Sequence, residues 1–504
     1  MDLLGHLFAG FQIACQPINL FLCFMGVLMG TLVGVLPGLG PVTAMSLLLP
    51  TTFAMSPVQA IIMLAGIYYG AMYGGSTTSI LVNIPGESAS VVTCLDGYQM
   101  ARNGRAGAAL GISAFGSFIA GTLGIIGLML VAPPLAAMAL QFGPPEYFSL
   151  VVMGLTILTF LASGPMWKSL LMASFGLFLS CIGMELISAK GRFTFDIVEL
   201  SDGVGLVPLV MGLFGISEVM LNIEQSLERT IFESKIKNLL PTLSDWRVSI
   251  ASILRGSVMG FFLGVLPGGG TVISSFVSYA VEKKLSKYPE KFGTGVIEGV
   301  AGPEAANNAA TSGCFIPLLS LGVPTTGTMA LLLGTLIMHG VQPGPMLVNE
   351  HPDIFWGTVA SMYIGNAMLL VLNLPLIGLW VKLLKVPYPI LFPLILLFCL
   401  IGAFSLNNSI VDIFFVAFFG LVGYLLRKFK YEAAPLVLAF VLGPLMEVNL
   451  RQSLLLSDGS PFIFFTRPIS GVLISVAVVL FIFPLIPGLK MKKKSEIVQV
   501  GDMM

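Results

Sequence analysis

Residues 34–42 read GVLPGLGPV, and residues 264–272 read GVLPGGGTV. Seven of the nine aligned positions are identical, at an offset of 230 residues in a chain of 504. The match continues upstream: Gly26, Gly30 and Gly34 are spaced four apart, as are Gly256, Gly260 and Gly264, and Met29 matches Met259. Each copy predicts an apolar helix with a small-xxx-small face that runs into a Pro-Gly break and resumes as a second apolar segment. In a bilayer such a helix packs closely on its neighbours, and breaks in corresponding places of two halves point to a transporter's binding site.

The surrounding composition agrees with a bilayer. The chain is 56% hydrophobic and only 10% charged, against about a quarter charged in a soluble domain. Repeated apolar runs of about 20 residues can each span a membrane, and no polar stretch is long enough to build a soluble domain. The start, MDLLGHLFAGF, lacks the basic n-region of a secretory signal and is expected to be retained. None of the six cysteines forms a CxxC pair and the three histidines lack metal-ligand spacing, so the cysteines read as packing residues and no metal centre is expected. There is no GxSxG, HExxH or P-loop, which argues against an enzyme and against ATP hydrolysis.

Charge sets the expected topology. The first hairpin, about 18–55, has no Lys or Arg in its flanks, whereas the second, about 252–285, runs from a basic linker into EKKLSKYPEK (282–291). A break with the same charge character on both sides is the pattern of a re-entrant hairpin. The positive-inside rule puts Arg102 and Arg105, the linker 222–251, Arg427, Lys428 and Lys430, and the tail LKMKKK (489–494) in the cytoplasm. Five apolar crossings follow the first hairpin (57–100, then runs near 107–132, 146–163, 168–187 and 203–221), so the second hairpin starts from the opposite face. Further runs lie near 354–381, 387–405, 409–426, 433–450 and 465–487. The expected fold is an all-α polytopic membrane protein of inverted repeats, each with a re-entrant helical hairpin and an interrupted transmembrane helix. The first repeat is 1–221, the linker 222–251, the second repeat 252–488 and the cytoplasmic tail 489–504.

Four interruptions result: the tips 37–41 and 267–271, and the breaks NIPGESAS (83–90) and LGVPTTGT (321–328). Helix ends at membrane depth offer N–H groups and positive dipole ends to anions. Unwound carbonyls and side-chain oxygens suit a small hard cation such as sodium. The expected substrate-binding residues are Pro37, Gly38, Gly40, Thr43, Asn83, Gly86, Ser88, Pro267, Gly268, Gly270, Thr271, Thr325 and Thr326. The expected coupling-ion residues are Ser76, Thr77, Thr78, Glu87, Glu304, Asn307 and Asn308. Glu87 and Glu304 are costly at this depth, so an ion-binding role, a structural bond to a helix end and a position near the surface all stay open. The breaks themselves are open to a second reading as packing kinks. No Lys or Arg falls inside the repeated motifs, which leaves helix ends, hydroxyls and a co-bound cation to balance an anionic substrate, with Arg102 or Arg192 near a mouth.

At these motifs the chain resembles the large membrane subunit of the tripartite tricarboxylate transporter family. The resemblance rests on GVLPGLGPVTAMSLLLPTTF (34–53), YGAMYGGSTTSILVNIPGE (69–87), GVLPGGGTVISSF (264–276), EGVAGPEAANNAATSG (298–313) and PLLSLGVPTTGTMALLLG (317–334). It implies a bacterial inner-membrane carrier that imports citrate or related carboxylates on an ion gradient, commonly sodium, without another cofactor. The implied partners are a periplasmic substrate-binding protein and a small four-helix membrane subunit, within the membrane lipid and with no nucleic acid. The tripartite ATP-independent periplasmic transporters are a looser analogy and suggest an elevator motion. A passive anion channel, or a carrier of a different small organic anion, is the competing reading.

Overall fold

Proline and capping residues start the helices. Pro17, Pro41, Pro57, Pro352 and Pro468 each occupy the first turn of a helix, where a missing N–H costs nothing and the fixed φ already suits the helix. The structure is a computed structural model describing residues 3–36, 39–161, 165–185, 190–224, 239–268, 270–383 and 388–483. It is all-α. Among the described residues, strand is confined to an antiparallel pair of two-residue segments, Gly183–Met184 and Gly191–Arg192. Nine helices among these residues are long and apolar enough to cross a membrane.

The first hairpin has a leading arm, Pro17–Val35, and a trailing arm, Pro41–Leu48, that tightens into a 3₁₀ turn, Leu49–Ala54. The second has arms Leu243–Gly264 and Gly270–Leu285. Each leading arm lies against the broken helix that follows its hairpin. A methyl group at Gly26, Gly30 or Gly34 would overlap the carbonyl oxygens of Met63, Ile67 and Ala71 respectively. A methyl at Gly256, Gly260 or Gly264 would likewise overlap those of Gly302, Ala306 and Ala310. The small-xxx-small faces therefore bring backbone onto backbone, the contact such faces permit between membrane helices.

The breaks share a backbone path. The helix Pro57–Val82 ends on Asn83 in the left-handed region (φ 59, ψ 27), and the chain resumes at Glu87 in extended geometry (φ −146, ψ 166). In the second half Glu298–Gly313 and Phe315–Leu321 end on Gly322 (φ 71, ψ 22), and Gly327–Met338 starts from Thr326 (φ −140, ψ 166). Asn83-Ile84-Pro85-Gly86-Glu87 thus aligns in register with Gly322-Val323-Pro324-Thr325-Thr326, with matching backbone angles at both ends. Proline starves the helix of a donor at the same place in each, and a left-handed cap ends it.

Three boundaries differ from expectation. Residues 96–105, where the polarity of DGYQMARNGR and the gap between the expected crossings 57–100 and 107–132 predict a loop, form irregular helical turns kinked at Gly104 (φ 78) and run into the helix Ala106–Ala139. The helix Leu243–Gly264 starts inside the expected linker because Thr242 and Asp245 make a capping box; linker residues 225–238 and the tail 489–504 lie outside the described residues. The run 354–381 is two helices, Pro352–Asn373 and Ile377–Leu383, separated at Pro375.

Gly30→Ala and Gly260→Ala are each expected to cost about 3 kcal/mol or more, the upper end of core overpacking, because the atoms they meet are backbone. Gly378, with nothing within 4 Å of an added methyl, should accept alanine freely. Thermal midpoints in mild detergent, followed by size-exclusion chromatography, check the contrast.

Candidate functional site

The hairpin tips and the breaks come together. Gly40 caps the first trailing arm, and the atom nearest to a side chain built there is the Glu87 Cβ, 4.0 Å away. At the second tip the Gly268 N–H donates to the Thr325 carbonyl at 2.9 Å. The trailing arms cross over between halves: Pro41–Leu48 packs on Gly327–Met338, and Gly270–Leu285 packs on the turn Ser88–Ser90. Each trailing arm thereby touches the segment that resumes after the other half's break.

Two buried carboxylates sit at this crossing. Glu304 accepts hydrogen bonds from the Ser76 hydroxyl at 2.5 Å and from the Thr93 hydroxyl, with Ser113 as a third hydroxyl neighbour. All three belong to the first half of the chain. Glu87 accepts the Ala89 N–H at 2.6 Å, its backbone N–H meets the Ser90 hydroxyl at 3.4 Å, and the Asn307 amide reaches it at 3.3 Å. Glu87 is thus the cap of the resumed first segment, and Asn307 ties that cap to the second half. The Asn307 Oδ1 and Thr325 Oγ1 atoms are buried without a hydrogen-bond partner; the Cys314 thiol, a weak partner, lies beside Thr325. Tyr68 faces Cys314 and Thr311 across the same interface.

The other expected site residues divide. Gly86 is wedged between the Gly34 carbonyl and Gly75, and Asn83 and Ser88 on either side of it are exposed. Pro267 is half-buried, while Gly270 and Thr271 are buried. Thr77 is buried within the first broken helix. Three residues make further hydrogen bonds: Thr43 donates to the Phe214 carbonyl at 3.4 Å, Thr78 to the Gly75 carbonyl, and Asn308 to the Ser117 hydroxyl. Pro37 and Gly38 lie outside the described residues. Thr93 and Ser113 were not singled out from the sequence, since no local pattern marks a hydroxyl as the partner of a carboxylate some two hundred residues away; Ser90, three residues from Glu87 in a local capping box, was not singled out either.

Comparison with known proteins meets this geometry. The model of the tripartite tricarboxylate transporter TctA family matches residues 20–438. The chain belongs to that family. A protein of Agrobacterium vitis, described as an uncharacterized 52.8 kDa protein in the TAR-I ttuC' 3'region, is 49% identical over 499 residues, covering 99% of both chains. A second Agrobacterium vitis protein, from the TAR-II ttuC' 3'region, is 50% identical over 240 residues, which are 48% of this chain and 99% of that one. No solved structure matches.

As a TctA-family protein the chain is a multi-pass membrane component of a tricarboxylate transporter, and the family is one of transporters rather than enzymes. Two features outside the crossing bear on that role. Arg192 makes a two-pronged pair with Glu447 at 3.0 and 3.1 Å, which raises its pKa above the usual arginine value. Arg451 bridges the same Glu447 to Glu185. Glu185, Arg192 and Glu447 edge a cavity of about 830 Å³ whose lining also includes Leu206, Gly334 and Phe440 and none of the tip or break residues. The charge of Arg192 is therefore already matched by carboxylates. The second feature is Asp96, fully buried. Its carboxylate accepts the Gly293, Gly295 and Val296 N–H groups at 2.8–3.0 Å and the Tyr279 hydroxyl at 2.8 Å. It clamps the segment after the first break onto the loop after the second hairpin.

Asp96→Asn replaces a four-donor acceptor by a group whose amide faces backbone N–H. Hydrogen bonds to a charged group are worth about 1.5–3 kcal/mol each, so the variant is expected to lose at least that much stability. A thermal midpoint within error of the parent's would remove the clamp from the fold's essentials.

Proposed function

We propose that the chain imports citrate or a related carboxylate into the bacterial cell, driven by an inward sodium gradient. It works as the large subunit beside a small four-helix membrane subunit and a periplasmic substrate-binding protein. The carrying observation is the crossing itself: two tips and two breaks converge where four helix ends and a cluster of hydroxyls meet around two carboxylates. Backbone that leaves the helix at membrane depth is tolerated only where it is buried in protein or lines a water-filled cavity. Gly86 and Glu87 meet the first condition, being buried in protein, and Asn83 and Ser88 beside them are exposed.

A tricarboxylate brings several negative charges. No Lys or Arg lies at 37–41, 83–88, 267–271 or 322–327, so compensation falls to N–H groups, hydroxyls and a co-transported cation. Sodium, a hard cation, takes oxygen ligands, which this cluster supplies. The recurrence of one glycine contact and one break geometry in both halves supports an inverted repeat: 1–221 and 252–488 joined by 222–251, with the tail 489–504 on the cytoplasmic side of the inner membrane. In that arrangement the hairpins and breaks move together as an elevator.

Labelled citrate uptake into proteoliposomes holding the chain and its small subunit, with the binding protein added, tests the reading. Uptake should need an inward sodium gradient and collapse with it; entry that persists after the gradient is dissipated supports the passive channel instead. Pro267-Gly268→Ala-Ala places alanine at a φ of +103° and is expected to cut uptake at least tenfold with membrane insertion intact. Uptake at the parent rate would sink the assignment of the tips.

A further inference from the structure

The two breaks follow the same backbone path but carry different caps. We propose that they bind opposite charges: the first, through Glu87 and Asn307, holds the coupling cation, and the second, through Thr325, Thr326 and the start of Gly327–Met338, holds a carboxylate of the substrate. This assignment rests on the carrier reading above and divides its site between the halves.

At the first break the cap is a carboxylate. Glu87 is 7% exposed, and its hydrogen-bond donors are the Ala89 N–H and the Asn307 amide. Both donors are neutral. The segment it caps continues through irregular helical turns to Arg105, so the carboxylate meets the positive end of that segment. When ionised, Glu87 offsets that end and has no basic side chain among its hydrogen-bond partners. An ionised Glu87 can only accept, so the Asn307 nitrogen must face it and Oδ1 turns the other way. That oxygen belongs to a residue 1% exposed and has no partner. A carboxylate beside an unpartnered amide oxygen is an oxygen site for a small cation. Among the described residues no group of three or more His, Cys, Asp or Glu side chains could hold a metal ion, which favours a monovalent occupant over a transition metal.

At the second break the cap is neutral. The Thr326 hydroxyl accepts the Met329 N–H at 3.2 Å, and the helix it opens is 12 residues long. Such a terminus carries roughly half a positive charge, and a hydroxyl does not offset it. Thr325, fully buried, has no partner for its hydroxyl oxygen stronger than the neighbouring Cys314 thiol, and its carbonyl is fixed by the second hairpin tip through Gly268. A substrate carboxylate docked there takes N–H groups and a hydroxyl donor. With a cation in the first break and an anion in the second, each lowers the cost of burying the other.

Direct binding of ²²Na⁺ to the purified full chain in nanodiscs, together with citrate uptake kinetics, separates the two sites. Glu87→Gln and Asn307→Ala are each expected to weaken ²²Na⁺ binding at least tenfold. Thr326→Val is expected to keep ²²Na⁺ binding and raise the citrate KM at least tenfold, with Thr326→Ser restoring it. Circular dichroism and a single elution peak certify folding, and Asn307→Ala carries the cation test if Glu87→Gln does not purify. Unchanged ²²Na⁺ binding in the first pair, or a Thr326→Val chain that loses sodium but keeps its citrate KM, overturns the division while leaving a sodium-driven carrier. A parent chain that neither binds ²²Na⁺ nor needs a sodium gradient overturns the carrier reading and the division with it.

Discussion

Backbone carbonyls pressed against glycine Cα atoms hold this molecule together at its centre. Lipid gives apolar helices no hydrophobic reason to associate, so close packing has to supply the affinity. Gly26, Gly30 and Gly34 provide it in the first half, and Gly256, Gly260 and Gly264 in the second. The last glycine of each ladder also positions a broken segment. Gly86, in the first break, rests on the Gly34 carbonyl, and Gly270, opening the second trailing arm, rests on Gly264. Tip and break are therefore referenced to one another through backbone, whose position no rotamer change can relax.

Polar chemistry then joins the halves. Glu304 is solvated by hydroxyls of the other half, and Asn308 reaches Ser117 in the helix Ala106–Ala139. An ionisable group at this depth is costly unless its lone pairs are filled. Hydroxyls fill them without adding a compensating charge. Salt bridges are arranged differently. Arg105–Asp245, Arg255–Glu282 and Arg467–Glu146 each pair a partly exposed arginine with a buried carboxylate, away from the tips and breaks.

The sequence was informative where physics is local. A Pro-Gly pair ends a helix whatever surrounds it, and a four-residue glycine spacing marks one face, so the hairpins and the breaks at Pro85 and Pro324 could be read directly. Partner choice could not. The Asp96 carboxylate sits in a stretch, DGYQMARNGR, whose polarity resembles a loop; it is helical because Gly293, Gly295 and Val296 bring it N–H groups from nearly two hundred residues away. The partners to which Thr43 and Asn308 donate, 171 and 191 residues away, were likewise not legible. Arg192 was legible as a positive charge, but Glu447, 255 residues away in sequence, was not legible as its partner.

The bonds from Ser76 and Thr93 to Glu304 also constrain how the protein is made. The acceptor lies 228 and 211 residues downstream of its donors. At ribosomal speeds of about 5–20 residues per second, the earlier hydroxyl is synthesised roughly ten to fifty seconds before its carboxylate. During that interval the first broken helix has its glycine ladder but not its polar partners. Membrane insertion of the first half is thus separated in time from completion of its interior, and the nascent chain must hold an unfinished polar face away from lipid until residue 304 arrives.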